Sequence, residues 1–336
     1  MAYYVYVSIG GEERIAIYDM DTDTGALELK DSADAGGAVG ALAVSPDKRF
    51  LYAAIRSTTS VTTFAIDSET GGLSQLGSVP VFDNPVYVFI DNSGKFLVMS
   101  SYSGDTAGAY PIGDDGTVQD EVSTLQETRR NPHSIQLDPS NRFGFVPNTG
   151  SDCIFQYAWD SEAGTLTPND VPIVDTAEGT GPRHFAFYPG KNYVYFVNEK
   201  GNSIDAFNLD EGTGQLSHFQ HISTLPDDFD DESFCADIHF TPDGKYLYAT
   251  NRGHESLAGY SVDAETGELT FLGTYPTEAH PRSFAIDPPG NFVYCAGQNS
   301  DRMASYRINH DTGELEPLEI YGVGKGPGWV TVLELP

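Results

Sequence analysis

The residues best suited to chemistry in this sequence are four arginines at two positions of a repeated unit: Arg183 and Arg282 at one, Arg56 and Arg252 at the other. They are four of only 11 arginines in 336 residues, and the chain carries 49 Asp and Glu against 18 Lys and Arg. A guanidinium offers planar N–H donors that bind a carboxylate or a phosphate through two parallel hydrogen bonds. Because these cations recur at one place in an acidic protein, they predict a binding site for a small anion.

Groups that could transfer protons lie at or beside the same positions: Glu199 and His133, with His184, Asp237 and His239 close to them in the repeat. Histidine changes charge near neutral pH, so histidines next to a carboxylate and arginines are suited to general acid–base catalysis. Alternatively, the arginines pair with Glu199 and Asp237 and hold the repeats together. Buried ion pairs stabilise proteins only weakly, so we favour the chemical role.

Neither a metal site nor a cofactor is predicted. Asp237 and His239 share one face of a strand, but no third ligand stands at a comparable spacing. The three cysteines, Cys153, Cys235 and Cys295, are far apart and form no C-x-x-C pair, which disfavours both a disulfide framework and a thiolate zinc site. The glycine pairs are not followed by a helix, as a phosphate-binding loop requires.

Two turns that recur along the chain define the elements that position these residues. One turn, of the general form Asp-x-x-x-Gly-x-Leu, recurs seven times, with its glycines 45 to 53 residues apart. These glycines are Gly25, Gly71, Gly116, Gly164, Gly214, Gly267 and Gly313. A second turn, usually built on proline, recurs six times and precedes an apolar strand each time. Each unit therefore reads as four strands, and no stretch has helical periodicity.

Units of this length with four strands each indicate the blades of a β-propeller. We predict an all-β fold, a seven-bladed β-propeller of four-stranded antiparallel blades, as a single domain over residues 1–336. The second turn is missing once, so the two ends of the chain are expected to share a blade. The strand around 329–332 would be innermost, and residues 3–7 would form the next strand. Because the first strand starts where the second ends, the four arginines ring one mouth of the central channel.

Net charge restricts the partners of this protein. A formal charge of -31 repels nucleic acids and anionic membranes, and it favours a monomer. The N-terminus lacks the pattern of a signal peptide, and no apolar run is long enough to span a membrane. We therefore expect a cytoplasmic protein whose partner is a small anionic molecule.

Short segments around these positions carry a resemblance to a known family: Asn131-Pro132-His133-Ser134, Gly181-Pro182-Arg183-His184, Val197-Asn198-Glu199, Ala236-Asp237-Ile238-His239, Asn251-Arg252, Pro281-Arg282-Ser283-Phe284, Ala296-Gly297-Gln298 and Gly326-Pro327-Gly328-Trp329. With them the chain resembles the bacterial propeller-type 6-phosphogluconolactonases, a family related to the fungal-type muconate lactonising enzymes. The resemblance extends over essentially the full length.

The resemblance implies an active site lined by His133, Arg183, Glu199 and Arg252, and a lactone as substrate. On this basis Glu199 or His133 is the general base, and Arg183 stabilises the oxyanion of the tetrahedral intermediate. The remaining mouth residues are assigned to substrate binding, with Arg252 and Arg282 gripping the anionic group: Arg252, Arg282, Gln298, His184, Asp237, His239 and Arg56.

Three functions stay open at the level of sequence. The first is hydrolysis of a sugar-acid lactone, most specifically 6-phosphogluconolactone. The second is a muconate-type lactonising cycloisomerase, which needs the same arginines and one acid–base residue. The third is a non-enzymatic propeller that binds an anionic ligand at its mouth, because propellers serve as scaffolds as well as enzymes.

Overall fold

Seven four-stranded antiparallel sheets surround a central channel in the computed structural model, which describes residues 1–336. The innermost strand of one sheet contacts the innermost strand of the next at five of the seven junctions between sheets, and the innermost strands line the channel. The seven-bladed propeller predicted from the repeat is therefore confirmed.

From the channel outwards, the strands of the first four blades are β4 (Val39–Val44), β5 (Phe50–Ile55), β6 (Ser60–Ile66) and β7 (Leu73–Pro80) in blade 1; β8 (Tyr87–Ile90), β9 (Phe96–Ser101), β10 (Thr106–Pro111) and β11 (Thr124–Glu127) in blade 2; β12 (Gln136–Leu137), β13 (Phe143–Asn148), β14 (Cys153–Asp160) and β15 (Thr165–Asp175) in blade 3; and β16 (Pro182–Phe187), β17 (Tyr193–Asn198), β18 (Ser203–Leu209) and β19 (Leu216–Ser223) in blade 4.

The other three blades are β20 (Phe234–Phe240), β21 (Tyr246–Arg252), β22 (Ser256–Val262) and β23 (Leu269–Pro276) in blade 5; β24 (Pro281–Ile286), β25 (Phe292–Gly297), β26 (Arg302–Ile308) and β27 (Leu315–Gly322) in blade 6; and β28 (Pro327–Leu335), β1 (Ala2–Ile9), β2 (Arg14–Met20) and β3 (Leu27–Asp34) in blade 7. One turn of 3-10 helix, Gly10–Glu12, joins β1 to β2. No helix has the length and apolar character needed to cross a membrane.

Blade 7 joins the two ends of the chain, as the missing turn predicted. The C-terminal strand β28 lines the channel and pairs antiparallel with the N-terminal strand β1, placing Val5 opposite Val332. The middle strands of the blades are buried on both faces because each blade stacks against the next. In β9, for example, all six residues are buried. This stacking removes apolar surface from water and supplies the core.

The seven turn glycines fit between adjacent blades. At each of them, an aromatic ring of the preceding blade occupies the place of a Cβ atom; at Gly116 this is the ring of Phe50. Gly116 also has a φ of 83°, which side chains rarely adopt. Five of these glycine carbonyls accept a hydrogen bond from a buried tyrosine hydroxyl, such as that of Tyr52, 2.9 Å from the oxygen of Gly116. The repeated glycine thus fixes the distance between blades.

Candidate active site

A cavity of about 450 Å³ opens at the end of the channel where the innermost strands begin. Six of the predicted site residues line it: Arg56, His133, Arg183, His184, Arg282 and Gln298. Trp329 and the backbone of several glycines complete the wall. Glu199, Arg252, Asp237 and His239 are not among the lining residues.

A repeated backbone device presents the side chains at this mouth. In four blades, a residue with left-handed backbone precedes a proline, and the residue after the proline is the mouth residue. The left-handed residues are Asn131 (φ 61°), Gly181 (φ 62°), His280 (φ 59°) and Gly326 (φ 66°). Each donates its N–H to a carboxylate from the turn between the second and third strands of the preceding blade, namely Asp105, Asp152, Glu255 and Asp301. We call this arrangement the carboxylate clasp.

Bulges at the start of the innermost strands allow neighbouring residues to face the cavity together. Side chains normally alternate between the two faces of a strand, which would turn Arg183 and His184 in opposite directions. The register of β16 against β17 shifts between Pro182 and Phe185, and both side chains line the cavity. A similar irregularity in β28 leaves Gly328 and Trp329 side by side in the wall.

Glu199 lies behind Arg183 and pairs with two arginines. Its Oε2 atom is 2.8 Å from Nε of Arg183 and 3.2 Å from Nη2 of Arg252. Burial raises the pKa of Glu199, but the charges of Arg183 and Arg252 outweigh burial and hold this pKa below its usual value. Glu199 is therefore a carboxylate whose negative charge is shared by two guanidinium groups.

Arg183 is the most deeply buried cation of the site, with 1% of its side chain exposed. Its Nη1 donates to the carbonyl of Ala236, and its Nη2 has no hydrogen-bond partner in the protein. Burial and the charge of Arg252 lower the pKa of Arg183 to about 9, so the guanidinium is still protonated at neutral pH. Arg183 can thus donate one face of its guanidinium to a ligand in the cavity.

Arg252 does not reach the cavity, contrary to the expectation that it grips the substrate with Arg282. Its Nη2 donates to the carbonyl of Cys235 at 2.7 Å, and its Nε donates to the carbonyl of Phe234 at 3.3 Å. These backbone acceptors, together with Glu199, occupy two of its three nitrogens. The alternative of a structural pairing is therefore seen for Arg183 and Arg252 with Glu199, but not with Asp237.

Arg282, Gln298 and Arg56 supply the remaining donors. The side chains of Arg282 and Gln298 have no hydrogen-bond partner in the protein. Burial and the charge of Arg252 lower the pKa of Arg282 to about 10, so it also remains charged at neutral pH. Arg56 is exposed at the rim, where its Nε donates to Oδ1 of Asn84 at 3.0 Å. The side-chain donors of Arg282 are therefore free to bind an anion in the cavity.

His133 faces the cavity without a carboxylate to hold it. Its Nδ1 atom is buried and has no hydrogen-bond partner. Burial, followed by the charge of Arg183, places the pKa of His133 well below its usual value. The ring is neutral at pH 7, and nothing in the protein compensates a positive charge on it.

His184 and Asp237 form a buried pair, 2.8 Å apart between Nδ1 and Oδ1, in which His184 lines the cavity and Asp237 lies behind it. His239 contacts the other oxygen of Asp237, at 3.2 Å from its Nε2 atom. Its side chain is 41% exposed and lines a separate depression further along the channel, beside Phe240. The expectation that His239 stands at the mouth is wrong, because two residues of strand carry it about 7 Å beyond Asp237.

Trp329, Asn84 and Ser57 line the cavity although the sequence did not assign them to the site. Trp329 lies one position after Gly328, and Asn84 lies in the loop before β8. No group of three or more His, Cys, Asp or Glu side chains is arranged to hold a metal ion.

Comparison with known proteins identifies the family of this chain. The model of the seven-bladed β-propeller lactonases matches residues 3–332. The chain belongs to this lactonase family. The predicted resemblance is therefore confirmed, as is the prediction of an enzyme of the lactonase type, a carboxylic ester hydrolase. The family membership argues against the alternative of a non-enzymatic propeller that binds an anionic ligand at its mouth.

Relatives match the chain over its whole length. The 6-phosphogluconolactonase of Serratia proteamaculans is 37% identical over 333 residues, which are 99% of each protein. That of Pectobacterium carotovorum is 36% identical and covers 100% of both proteins. Among solved structures, the periplasmic gluconolactonase of Pseudomonas aeruginosa superposes with a TM-score of 0.93, at 26% identity and full coverage of both chains.

Proposed function

We propose that this chain hydrolyses 6-phosphogluconolactone to 6-phosphogluconate. One observation carries the proposal: the cavity contains two guanidinium groups with free donors. Arg183 uses Nε and Nη1 within the protein and leaves Nη2 free, and Arg282 has no hydrogen-bond partner in the protein. A phosphorylated lactone needs two such groups, one for the charge that develops at the carbonyl and one for the phosphate. The 6-phosphogluconolactonases that match the full length of the chain support the same substrate.

The reaction needs a water molecule, a donor for the oxyanion and a proton for the leaving alkoxide. Water adds to the lactone carbonyl, and the tetrahedral oxyanion lies against the free Nη2 of Arg183. Arg183 is fixed by Glu199 and by the carbonyl of Ala236, so it needs no rearrangement when the charge appears. The ring C–O bond then breaks, and the alkoxide leaves as the hydroxyl of the open acid.

The phosphate would bind at Arg282, with Arg56 at the rim of the same cavity. A guanidinium without a carboxylate partner does not have to break an existing ion pair when it binds a phosphate through two parallel hydrogen bonds. Gln298 adds an amide that can donate to, or accept from, a sugar hydroxyl. The charged end of the substrate thus faces solvent, and the lactone ring lies deeper, between Arg183 and Trp329.

The preference for phosphate decides between this substrate and an unphosphorylated one. The gluconolactonase of Pseudomonas aeruginosa shares the fold closely, so gluconolactone is the second candidate. We expect kcat/KM for 6-phosphogluconolactone to exceed that for gluconolactone by about 100-fold, which corresponds to one charge-assisted bidentate contact. Equal values for the two lactones would contradict phosphate recognition and favour the second candidate.

Arg282→Ala is the variant that tests the assignment of the phosphate. It should reduce kcat/KM for the phosphorylated lactone by about 100-fold and leave that for gluconolactone nearly unchanged. Arg49→Ala is the matched control, because Arg49 is 66% exposed and pairs with Asp47, outside this cavity. A parallel loss on both lactones in Arg282→Ala would remove Arg282 from phosphate binding.

The remaining properties complete the proposal. We propose that the protein acts as a monomer in the cytoplasm, uses no cofactor and binds no nucleic acid. Light scattering during gel filtration measures the oligomeric state directly. Consumption of a muconate followed by ultraviolet absorbance would instead identify the lactonising cycloisomerase.

A further inference from the structure

The pair formed by His184 and Asp237 has features that neither His133 nor Glu199 shares. Both side chains are almost fully buried, with 4% and 3% of their surface exposed. An ionised carboxylate only accepts hydrogen bonds, so the 2.8 Å contact requires the proton on Nδ1 of the imidazole. The lone pair of His184 is therefore on Nε2.

The ring of His184 is held so that Nε2 is reachable. It packs edge-on against His133 and Tyr87, each with centroids 5.2 Å away, and it lies 5.8 Å from Trp329. Nε2 has no hydrogen-bond partner in the protein, and it is not among the atoms sealed from solvent. Since His184 lines the cavity, this lone pair opens towards the bound lactone.

Asp237 is fixed from several sides. Its backbone N–H donates to Oγ1 of Thr250 at 2.9 Å. Its Oδ2 accepts from the backbone N–H of Phe284 at 3.3 Å and from His239. The carboxylate therefore holds the imidazole in one tautomer and one orientation, as in other carboxylate–histidine pairs.

We propose that His184 is the general base of this lactonase and that Asp237 is its positioning residue. This inference rests on the proposed function. Nε2 of His184 takes a proton from water while the water oxygen forms a bond to the lactone carbonyl. The tetrahedral intermediate breaks its ring C–O bond, and the imidazolium returns the proton to the departing alkoxide. One water is consumed, and the carboxyl group of the product releases its own proton to solvent.

The other two candidates are less suited to take a proton from water, for structural reasons. Glu199 shares its charge with Arg183 and Arg252, which stabilises the carboxylate and lowers its proton affinity. His133 has an unpartnered buried Nδ1, so a proton gained at Nε2 would leave a charged ring with no counterion. Only His184 has a carboxylate that stabilises its protonated form.

The electrostatic surroundings allow His184 to start in the neutral form. Burial and the charge of Arg183 outweigh Asp237 and bring the pKa of His184 to about 4, so the imidazole is unprotonated at neutral pH. When the oxyanion forms against Arg183, its negative charge offsets the guanidinium and the imidazolium becomes easier to form. The titratable and charged groups that face His184 are His133, Arg183, Asp237, Arg282 and Tyr87.

Steady-state kinetics of the full chain on 6-phosphogluconolactone test the pair. His184→Gln should lower kcat by about 100- to 1000-fold with KM within about threefold, because the base acts in the transition state. Asp237→Asn should lower kcat by about 10- to 100-fold. Because Asp237 acts through His184, the double variant should be no slower than His184→Gln within about threefold. Either single variant within about threefold of the wild type, or multiplied losses in the double variant, would overturn the proposal.

Asp205→Asn is the matched control for a buried aspartate. Oδ1 of Asp205 lies 2.7 Å from Nδ1 of His221, its side chain is 5% exposed, and it does not line the cavity. We expect its kcat to stay within about twofold of the wild type. An equal loss of kcat in Asp205→Asn would assign the effect of Asp237→Asn to general destabilisation and overturn the proposal.

A spectroscopic measurement separates this inference from the proposed function. Long-range ¹H–¹⁵N correlation of the imidazole, assigned by its absence in His184→Gln, reports which ring nitrogen carries the proton. The Nδ1–H tautomer is expected in the wild type, with a shift towards Nε2–H in Asp237→Asn. If the wild type does not open the phosphorylated lactone, the proposed function fails by itself. The tautomer of His184 still tests whether Asp237 positions its imidazole, and an Nε2–H tautomer in the wild type overturns the inference.

Discussion

Replacing Glu199 by Gln removes the one negative charge that Arg183 and Arg252 share. The carboxylate oxygen Oε2 accepts from both guanidinium groups, at 2.8 and 3.2 Å. Arg183 is buried, so water cannot replace the lost anion. The substitution therefore leaves two adjacent buried cations without a counterion, although the shape of the side chain is retained.

The size of the effect follows from this geometry. Removing one partner of a buried ion pair costs about 3–5 kcal/mol. The amide oxygen of glutamine still accepts a hydrogen bond, so we expect the lower end, about 3 kcal/mol. Unfolding entropy of about 2.1 cal/mol/K per residue gives about 0.7 kcal/mol/K for this chain. The melting temperature of Glu199→Gln should thus fall by about 4 °C.

Scanning calorimetry measures this shift, and turnover of the phosphorylated lactone is recorded on the same preparation. We expect kcat to fall at least 100-fold, because Arg183 loses the partner that orients it and keeps it protonated. Glu162→Gln serves as the control, since Glu162 is 84% exposed in its pair with Lys95, and its melting temperature should change by less than about 1 °C. A Glu199→Gln protein that melts with the wild type would refute the shared-charge reasoning. Near-wild-type turnover would remove Glu199 from the site.

Three further outcomes are expected. Tyr52→Phe leaves the buried carbonyl of Gly116 without its 2.9 Å partner, so its free energy of unfolding in urea should fall by about 1–2 kcal/mol; an unchanged midpoint would contradict this role of the repeated tyrosine. Calorimetric binding of 6-phosphogluconate should weaken as pH rises past 9, because Arg183 is cationic below its pKa of about 9 and neutral above it; constant affinity from pH 7 to about 10.5 would show that Arg183 keeps its charge over this range and contradict the lowered pKa. Finally, kcat/KM for the phosphorylated lactone should rise between about 20 and about 200 mM salt, since a net charge of -31 repels the substrate at long range; a steep fall over this range would show that local attraction by the arginines dominates.

The fold could be predicted because each repeat contains turns whose residue types are recognisable in the sequence. The glycines of the seven turns face aromatic rings of the neighbouring blade, so a residue with a side chain would clash there and glycine recurs once in every blade. The shared blade was also predictable, because a turn was missing where the chain begins and ends. Arg183 and Arg282 were found because the repeat puts both at the same distance before the second turn.

The features that the sequence could not reveal depend on irregular backbone and on backbone carbonyls that bind an arginine in place of the substrate. The sequence assigned both Arg183 and His184 to the site but did not reveal the bulge in β16, which brings both into the cavity although strict alternation would separate them. Arg252 satisfies the alignment but turns to the carbonyls of Phe234 and Cys235 at the start of β20, where the register against β21 shifts. His239 shares a face with Asp237, yet the rise of the strand carries it away from the mouth.

The carboxylate clasp fixes the backbone at the mouth without using the side chains that line the cavity. In four blades the strand is anchored by a left-handed residue, a proline and an acceptor from the preceding blade, before the mouth residue is reached. The residue that follows is His133 in one blade, Arg183 and Arg282 in two others, and Gly328 in the fourth. Because the anchor does not involve that side chain, a mutation there alters what the cavity recognises while the scaffold stays intact. Evolution, or a protein engineer, can therefore exchange substrates one blade at a time.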